Sequence, residues 1–344
     1  MVMVLDLADP QELLGYTRGI QEELEANRFT LNQYLPNDFI DEIEFRITQG
    51  NLRDADAAKI RAWDTESPIG SRQGLSRIWG ELPPISKKIR LGEEERLRKR
   101  ALERGENSAL VDAIYDDAAQ MARAVIARVE LLRGEALFNA QLVINENGVK
   151  QTVDFGRKAE HSVTAATLWS NAATATPVAN MRAWTEAYID TNGSAPAFAL
   201  TSNKVLSDLL LNNEIRQLAY NVGGGTVPSF TTPETVNSVF RAFGLPEIRT
   251  YDAKARVDGV QTRITPERQI VLMPSADEPL GATLFGETAE SMELVEARAI
   301  DQDQAPGLVA TVHKLDDPVS TWTKVAGIAL PVLVNPDLTF RANV

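Results

Sequence analysis

The residues able to do chemistry are few and scattered. The chain has two histidines and no cysteine, which removes thiol nucleophiles, Cys-based zinc sites, iron–sulfur clusters and disulfides together. His161 and His313 each stand alone in the sequence, whereas metal sites recruit several His, Cys or carboxylate ligands; each reads as a surface or half-buried histidine. Gly223-Gly224-Gly225 lacks the Lys–Ser/Thr pair and the helix start of a phosphate-cradling loop, and Pro228 follows, so it reads as a flexible loop. Asp301 and Asp303, like Asp54 and Asp56, offer carboxylates two apart without the further oxygen ligands, turn glycine and closing Glu of a calcium loop. No Gly-x-Ser-x-Gly elbow occurs. The inventory supplies no catalytic residue, cofactor site or metal site.

The elements around these residues carry more information. The length of 344 residues suits two ordinary domains or one large domain with extensions. Hydrophobic residues make up 44% and charged residues 24%, which excludes wholesale disorder. Acidic side chains number 48 against 35 basic, a net charge of −13; such a field argues against a protein whose main task is gripping nucleic acid. The start carries no secretory signal. The most apolar run, Val325 to Val334, is broken by Pro331 and is far shorter than the roughly twenty residues of a membrane span.

Residues 1–57 read as an arm whose apolar side chains a single copy has difficulty burying and would lay over adjacent copies. Pro10 to Ala26 has helical character, and Asp41 to Thr48 alternates in part as a strand does. Residues 58–91 read as a long hairpin. Lys59 to Trp63 runs out, a tip dense in turn formers spans Ser67 to Gly74, Leu75 to Trp79 returns, and Pro83-Pro84 interrupts before Ile85 to Ile89. Its apolar residues Ile60, Trp63, Ile69, Ile78 and Trp79 need cover, since an isolated two-stranded hairpin is marginal in water. Gly92 to Gly105 is a short charged helix with Glu93, Glu94 and Glu95 in its first turn, the order that suits the helix dipole.

The clearest element follows. Leu110, Ile114, Ala118, Met121, Val125, Val129 and Leu132 lie three or four apart, the stripe of an amphipathic helix, with Asn107 or Ser108 as its cap. Gln141 to Asn145 and Val149 to Phe155 flank an Asn147-Gly148 turn and predict a hairpin. From 180 to 275 helices and strands alternate. Ser202 caps a helix carrying Val205, Leu206, Leu209, Leu210 and Leu218, and Thr232-Pro233 opens another that Gly244 closes. The remainder is mostly strand, and is expected to pair with the 141–155 hairpin and to lie on the long helix.

This order resembles the major capsid protein of tailed bacteriophages, which share the Hong Kong 97-type fold, and within it the lambda-type capsid protein E family. The residues that carry the resemblance are Ala122 to Leu137, Val153 to Arg157, Trp169-Ser170, Trp184 and Pro331 to Leu338. It extends from about residue 58 to the C-terminus. It implies an α+β chain divided into an N-arm (1–57), an E-loop (58–91), a P-domain (92–176, with its spine helix at 107–139, and 276–344) and an inserted A-domain (177–275). Ile60, Trp63, Ile69, Arg72, Ile78 and Trp79 would then make intersubunit contacts from the E-loop, and Gly223, Gly224 and Gly225 would lie in a loop at the capsomer axis.

The resemblance further implies no enzyme activity, hexamers and pentamers of the chain itself, and an icosahedral head in the virion, assembled in the host cytoplasm. The head would enclose double-stranded DNA without sequence-specific binding, with a portal at one vertex and a decoration protein outside. The initial Met favours scaffolding by a separate protein. Lys59, Lys87 and Lys88 are the lysines available for cross-linking, though no motif supplies Asn and Glu partners. Two other readings compete: an encapsulin-like nanocompartment shell, and an α/β hydrolase with a β-rich accessory domain.

Overall fold

The computed structural model describes residues 2–5, 7–49, 76–102, 108–220, 228, 230–278 and 280–344. Its main apolar core is built on one helix, Ser108–Asn139, about 48 Å long at 1.5 Å per residue. The predicted stripe is its buried face: Ile114, Ala118, Met121, Val125, Val129 and Leu132 are all buried. The helix continues through Gly134, where a β-carbon would stand 2.5 Å from Ile264 Cγ2 and 2.9 Å from the Ile264 carbonyl oxygen. Glycine is therefore there for close approach. Gly134→Ala is expected to destabilise the subunit by roughly 1 kcal/mol: overpacking costs about 1–3 kcal/mol against about 1 kcal/mol gained in helix propensity. A thermal melt checks it; a rise in Tm would contradict the close contact.

A six-stranded sheet covers the helix. Its centre is the 15-residue strand Val319–Leu333. Thr321 to Ile328 pair with Pro84–Leu91, Val319 to Ala326 pair with Val309–Asp316, and Ile328 to Leu333 pair with Gly281–Gly286, all antiparallel. Val2–Met3 borders Val309–Asp316, and Asn37–Phe39 runs parallel to Gly281–Gly286. Val129 on the helix packs with Phe285 and Ala329 from the sheet.

A second sheet orders Glu247–Thr250, Phe198–Thr201, Gln269–Met273, Phe340–Asn343 and Ser162–Thr164. Helices Pro177–Asn192, Asn203–Leu211, Asn213–Tyr220 and Pro233–Ala242 accompany it, and stacked Trp169 and Trp184 share a core with Phe340. The expected caps are present: Ser202 Oγ accepts from Val205 N and Thr232 Oγ1 from Thr235 N, and Gly244 takes a φ of 70°. The single helix expected after Ser202 is two helices, because Asn212 adopts an extended conformation and caps the second through Ile215 N.

Three expectations need correction. The first concerns the hairpin. Ser76–Glu81 pairs with Glu44–Gln49, in register Glu44↔Glu81 to Gln49↔Ser76, so the ribbon begins inside the arm and the boundary at 57/58 cuts through it. Pro84–Leu91 is a strand of the main sheet, because Ile85 and Ile89 pack towards the core there. The second concerns the arm, which was expected to leave its apolar residues for neighbours. Helix Pro10–Asn27 lies along the long helix, and Leu13, Phe29, Leu31 and Leu35 are buried in the chain's own core. Their spacing shows no single period because helix, 3-10 turn and strand follow one another within a few residues. The third concerns the C-terminal strands. The 141–154 hairpin pairs only with itself among the described residues, and Phe340–Asn343 completes the second sheet.

Candidate assembly site

The residues singled out for chemistry do not converge. His161 is buried between Tyr188 and Phe340, with Nε2 2.9 Å from Thr191 Oγ1; burial lowers its pKa. His313 is half-buried on its strand beside Thr311 Oγ1, and burial, then Lys324, lower its pKa. Asp301 caps the turn Gln302–Gln304. No group of three or more His, Asp or Glu suited to a metal exists among the described residues, nor any helix there long and apolar enough to cross a membrane.

His161 has a consequence for stability. Its folded pKa lies below the unfolded value, so the unfolded chain takes up the proton first. Its contribution to stability is then full above about pH 6.5 and falls as the pH drops towards the lowered folded value. Denaturant titrations at pH 7.5 and pH 5.5 should show a smaller pH-dependent loss for His161→Gln than for the wild type. An equal loss would show that His161 does not titrate in this way.

The ribbon is the element that offers a surface. Alternation sends Phe45, Ile78 and Gly80 to one side and Arg46, Arg77 and Trp79 to the other. Phe45 is buried, and a β-carbon on Gly80 would come 2.9 Å from its ring, so the root of the ribbon is clamped to the core on that side. Ile78 is half-buried against the same core. Trp79 is 76% exposed on the opposite side, directly across from Arg46. Gln151 Nε2 donates to the Glu81 carbonyl at 2.9 Å and holds the ribbon root to the 141–154 hairpin. Of the six ribbon residues expected to make contacts, Ile60, Trp63, Ile69 and Arg72 lie outside the described residues, as do Gly223, Gly224 and Gly225.

A buried charge cluster anchors this platform, and the sequence reading missed it. Arg133 is fully buried. Its Nη2 donates to Glu25 Oε1 at 2.9 Å, its Nη1 to Glu130 Oε2 at 3.1 Å and its Nε to Thr283 Oγ1 at 2.9 Å, and Nη2 also donates to Asn37 Oδ1. Asn37 Nδ2 donates to Glu25 Oε2 at 2.8 Å, and Leu31 N donates to Glu130 Oε1 at 2.9 Å. Tyr251 Oη donates to the same Glu130 oxygen at 2.5 Å; burial and that carboxylate raise its pKa. One guanidinium thus joins the arm, the long helix and the main sheet, and through Glu130 the residue after Glu247–Thr250. The available signal was Ile126, Glu130, Arg133 and Leu137, a helical row in which the middle two positions are charged.

Arg157, within the segment that carries the family resemblance, closes the C-terminal end of the long helix. It donates to the carbonyls of Leu137 at 2.6 Å and Phe138 at 2.9 Å, where a cation opposes the negative end of the helix dipole. Burial and the nearby Arg341 lower its pKa to about 9.

Comparison with known proteins agrees with this architecture. The profile of the family described as phage major capsid protein E matches residues 30–344. No curated protein sequence matches the chain. Among solved structures, a prophage capsid protein of E. coli CFT073 superposes with a TM-score of 0.63 at 14% identity, covering 98% of this chain and 99% of that one. A phage-related protein from Bordetella bronchiseptica RB50 superposes with a TM-score of 0.56 at 13% identity, covering 100% of this chain and 98% of that one.

Proposed function

The chain belongs to the phage major capsid protein E family, a family of structural shell proteins with the Hong Kong 97-type fold, and from that premise we propose that it builds the icosahedral head shell of a phage as hexamers and pentamers enclosing double-stranded DNA. The observation that carries this reading is the ribbon. Its inner side is clamped by Phe45 while Trp79 stands 76% exposed on the outer side. An exposed Trp on a rigid projection forgoes roughly 1.5–3 kcal/mol that burial against a neighbour would return, and a closed assembly repeats that gain in every subunit.

In this reading the ribbon serves as the E-loop, Ser108–Asn139 as the spine of the P-domain, and 177–275 as the bulk of the A-domain, with Gly223 to Gly225 towards the capsomer axis. The family places the chain in the virion; assembly in the host cytoplasm, a separate scaffold, a portal and a decoration protein complete the proposal. The net charge of −13 disfavours tight binding of the wall to packed DNA.

Sedimentation velocity of the purified full chain over rising concentration tests the proposal. Species of hexamer size or larger are expected. A single monomer boundary at every concentration would overturn it.

A further inference from the structure

One face of the main sheet carries two surfaces of opposite charge that find no ion-pair partner among the described residues. The long helix covers the other face, where Phe285 and Ala329 meet Val129. Alternation along Val319–Leu333 puts Trp322, Lys324 and Val332 on the face away from the long helix, where Val332 is buried and Lys324 meets helix Ala289–Glu296.

At one end of that face the strand Pro84–Leu91 sets Lys88 opposite Lys324 and Arg90 opposite Trp322. Lys88 Nζ lies 4.9 Å and Arg90 Cζ 5.9 Å from the centroid of the Trp322 ring, so the aromatic face holds both cations in place. Lys324 is already paired with Glu290. Lys88 and Arg90 are exposed and have no carboxylate partner among the described residues.

At the other end, ten residues and so roughly 33 Å along the strand, lies a cleft of about 600 Å3. Leu284, Val332 and the ion-paired Glu44 and Arg46 line it. Asp38, Asp41 and Glu42 line it too; all are exposed, and none has a cationic partner among the described residues.

We infer that the Lys88–Arg90–Trp322 end of one copy docks into the Asp38–Asp41–Glu42 cleft of a second copy, head to tail. This rests on the reading of the chain as a shell subunit and names two surfaces through which subunits join. Three arguments select a second copy as the occupant. The patch and the cleft lie too far apart on one face for a chain to satisfy itself. Their charges are complementary: among the described residues, Lys88 and Arg90 have no carboxylate partner and Asp38, Asp41 and Glu42 have no cationic one. Chains that each carry −13 repel one another overall, so association requires locally complementary potentials. A contact between different patches also propagates, closing into rings when the rotation allows.

Charge reversal tests the inference on the full chain. Lys88→Glu with Arg90→Glu, and separately Asp41→Lys with Glu42→Lys, should each raise the concentration needed for assembly at least tenfold, while circular dichroism and thermal melts of the subunit stay unchanged. The four substitutions combined should bring assembly back to within about threefold of the wild type. Folded double variants that assemble as the wild type does, or a folded fourfold variant that stays as impaired as its parents, would overturn the inference alone. Loss of bound nucleic acid on reversing Lys88 and Arg90, with assembly intact, would overturn it in favour of a nucleic-acid contact. A wild type that remains monomeric would overturn the proposed function, and this inference with it.

Discussion

Arg133→Met is expected to cost the subunit about 3–5 kcal/mol, the usual penalty for removing one partner of a buried ion pair. The size follows from what remains. Glu25 and Glu130 stay in the interior without their cation, while Asn37 and Thr283 each lose a hydrogen-bond donor. The expected result is a large drop in the urea midpoint of the subunit. Faster proteolytic cleavage between residues 28 and 49 should accompany it, because Glu25 and Asn37 are the arm's polar ties to Arg133. Adding Glu25→Gln and Glu130→Gln should recover more than half of the loss, since neutral amides in the same places carry no unpaired charge. An Arg133→Met subunit within about 0.5 kcal/mol of the wild type would show that the cluster does not hold the arm.

Trp79→Glu is expected to leave the subunit folded and block assembly. The side chain is 76% exposed, and exposed substitutions away from special features usually stay within ±0.5 kcal/mol. Central aromatic residues of interfaces typically carry about 2–4 kcal/mol each. By the relation between free energy and equilibrium constant, that corresponds to roughly a 30-fold or greater rise in the concentration at which shells form. Light scattering at matched concentrations reads the difference. Unchanged scattering from a folded Trp79→Glu subunit would remove the ribbon from the interface.

What the sequence disclosed follows the range of the interactions. Local signals were legible. The stripe from Leu110 to Leu132 specified the long helix; Ser202, Thr232-Pro233 and Gly244 marked helix ends; Asn147-Gly148, with φ of 50° and 87°, made the predicted hairpin turn. Partner choice was not legible. Ser76–Glu81 has the alternation of a strand, but nothing in it says that Glu44–Gln49 will be its partner. The same holds for Phe340–Asn343, whose partner Gln269–Met273 lies across the whole 276–333 segment.

The candidate site divides in the same way. Trp79 could be picked out because an aromatic in a turn-rich, isolated hairpin needs cover. Arg133 could not, because the groups that make it stable come from Glu25 and Thr283, 108 and 150 residues away. The arm was misjudged for the related reason that Phe29, Leu31 and Leu35 are buried by three-dimensional neighbours and not by a periodic face of their own.

The most direct measurement is a cryo-EM reconstruction of the purified full-length protein. Closed polyhedral shells, with Trp79 of each subunit buried against an adjacent one, are the predicted result. Single-copy particles in which the ribbon lies against its own chain would contradict the account.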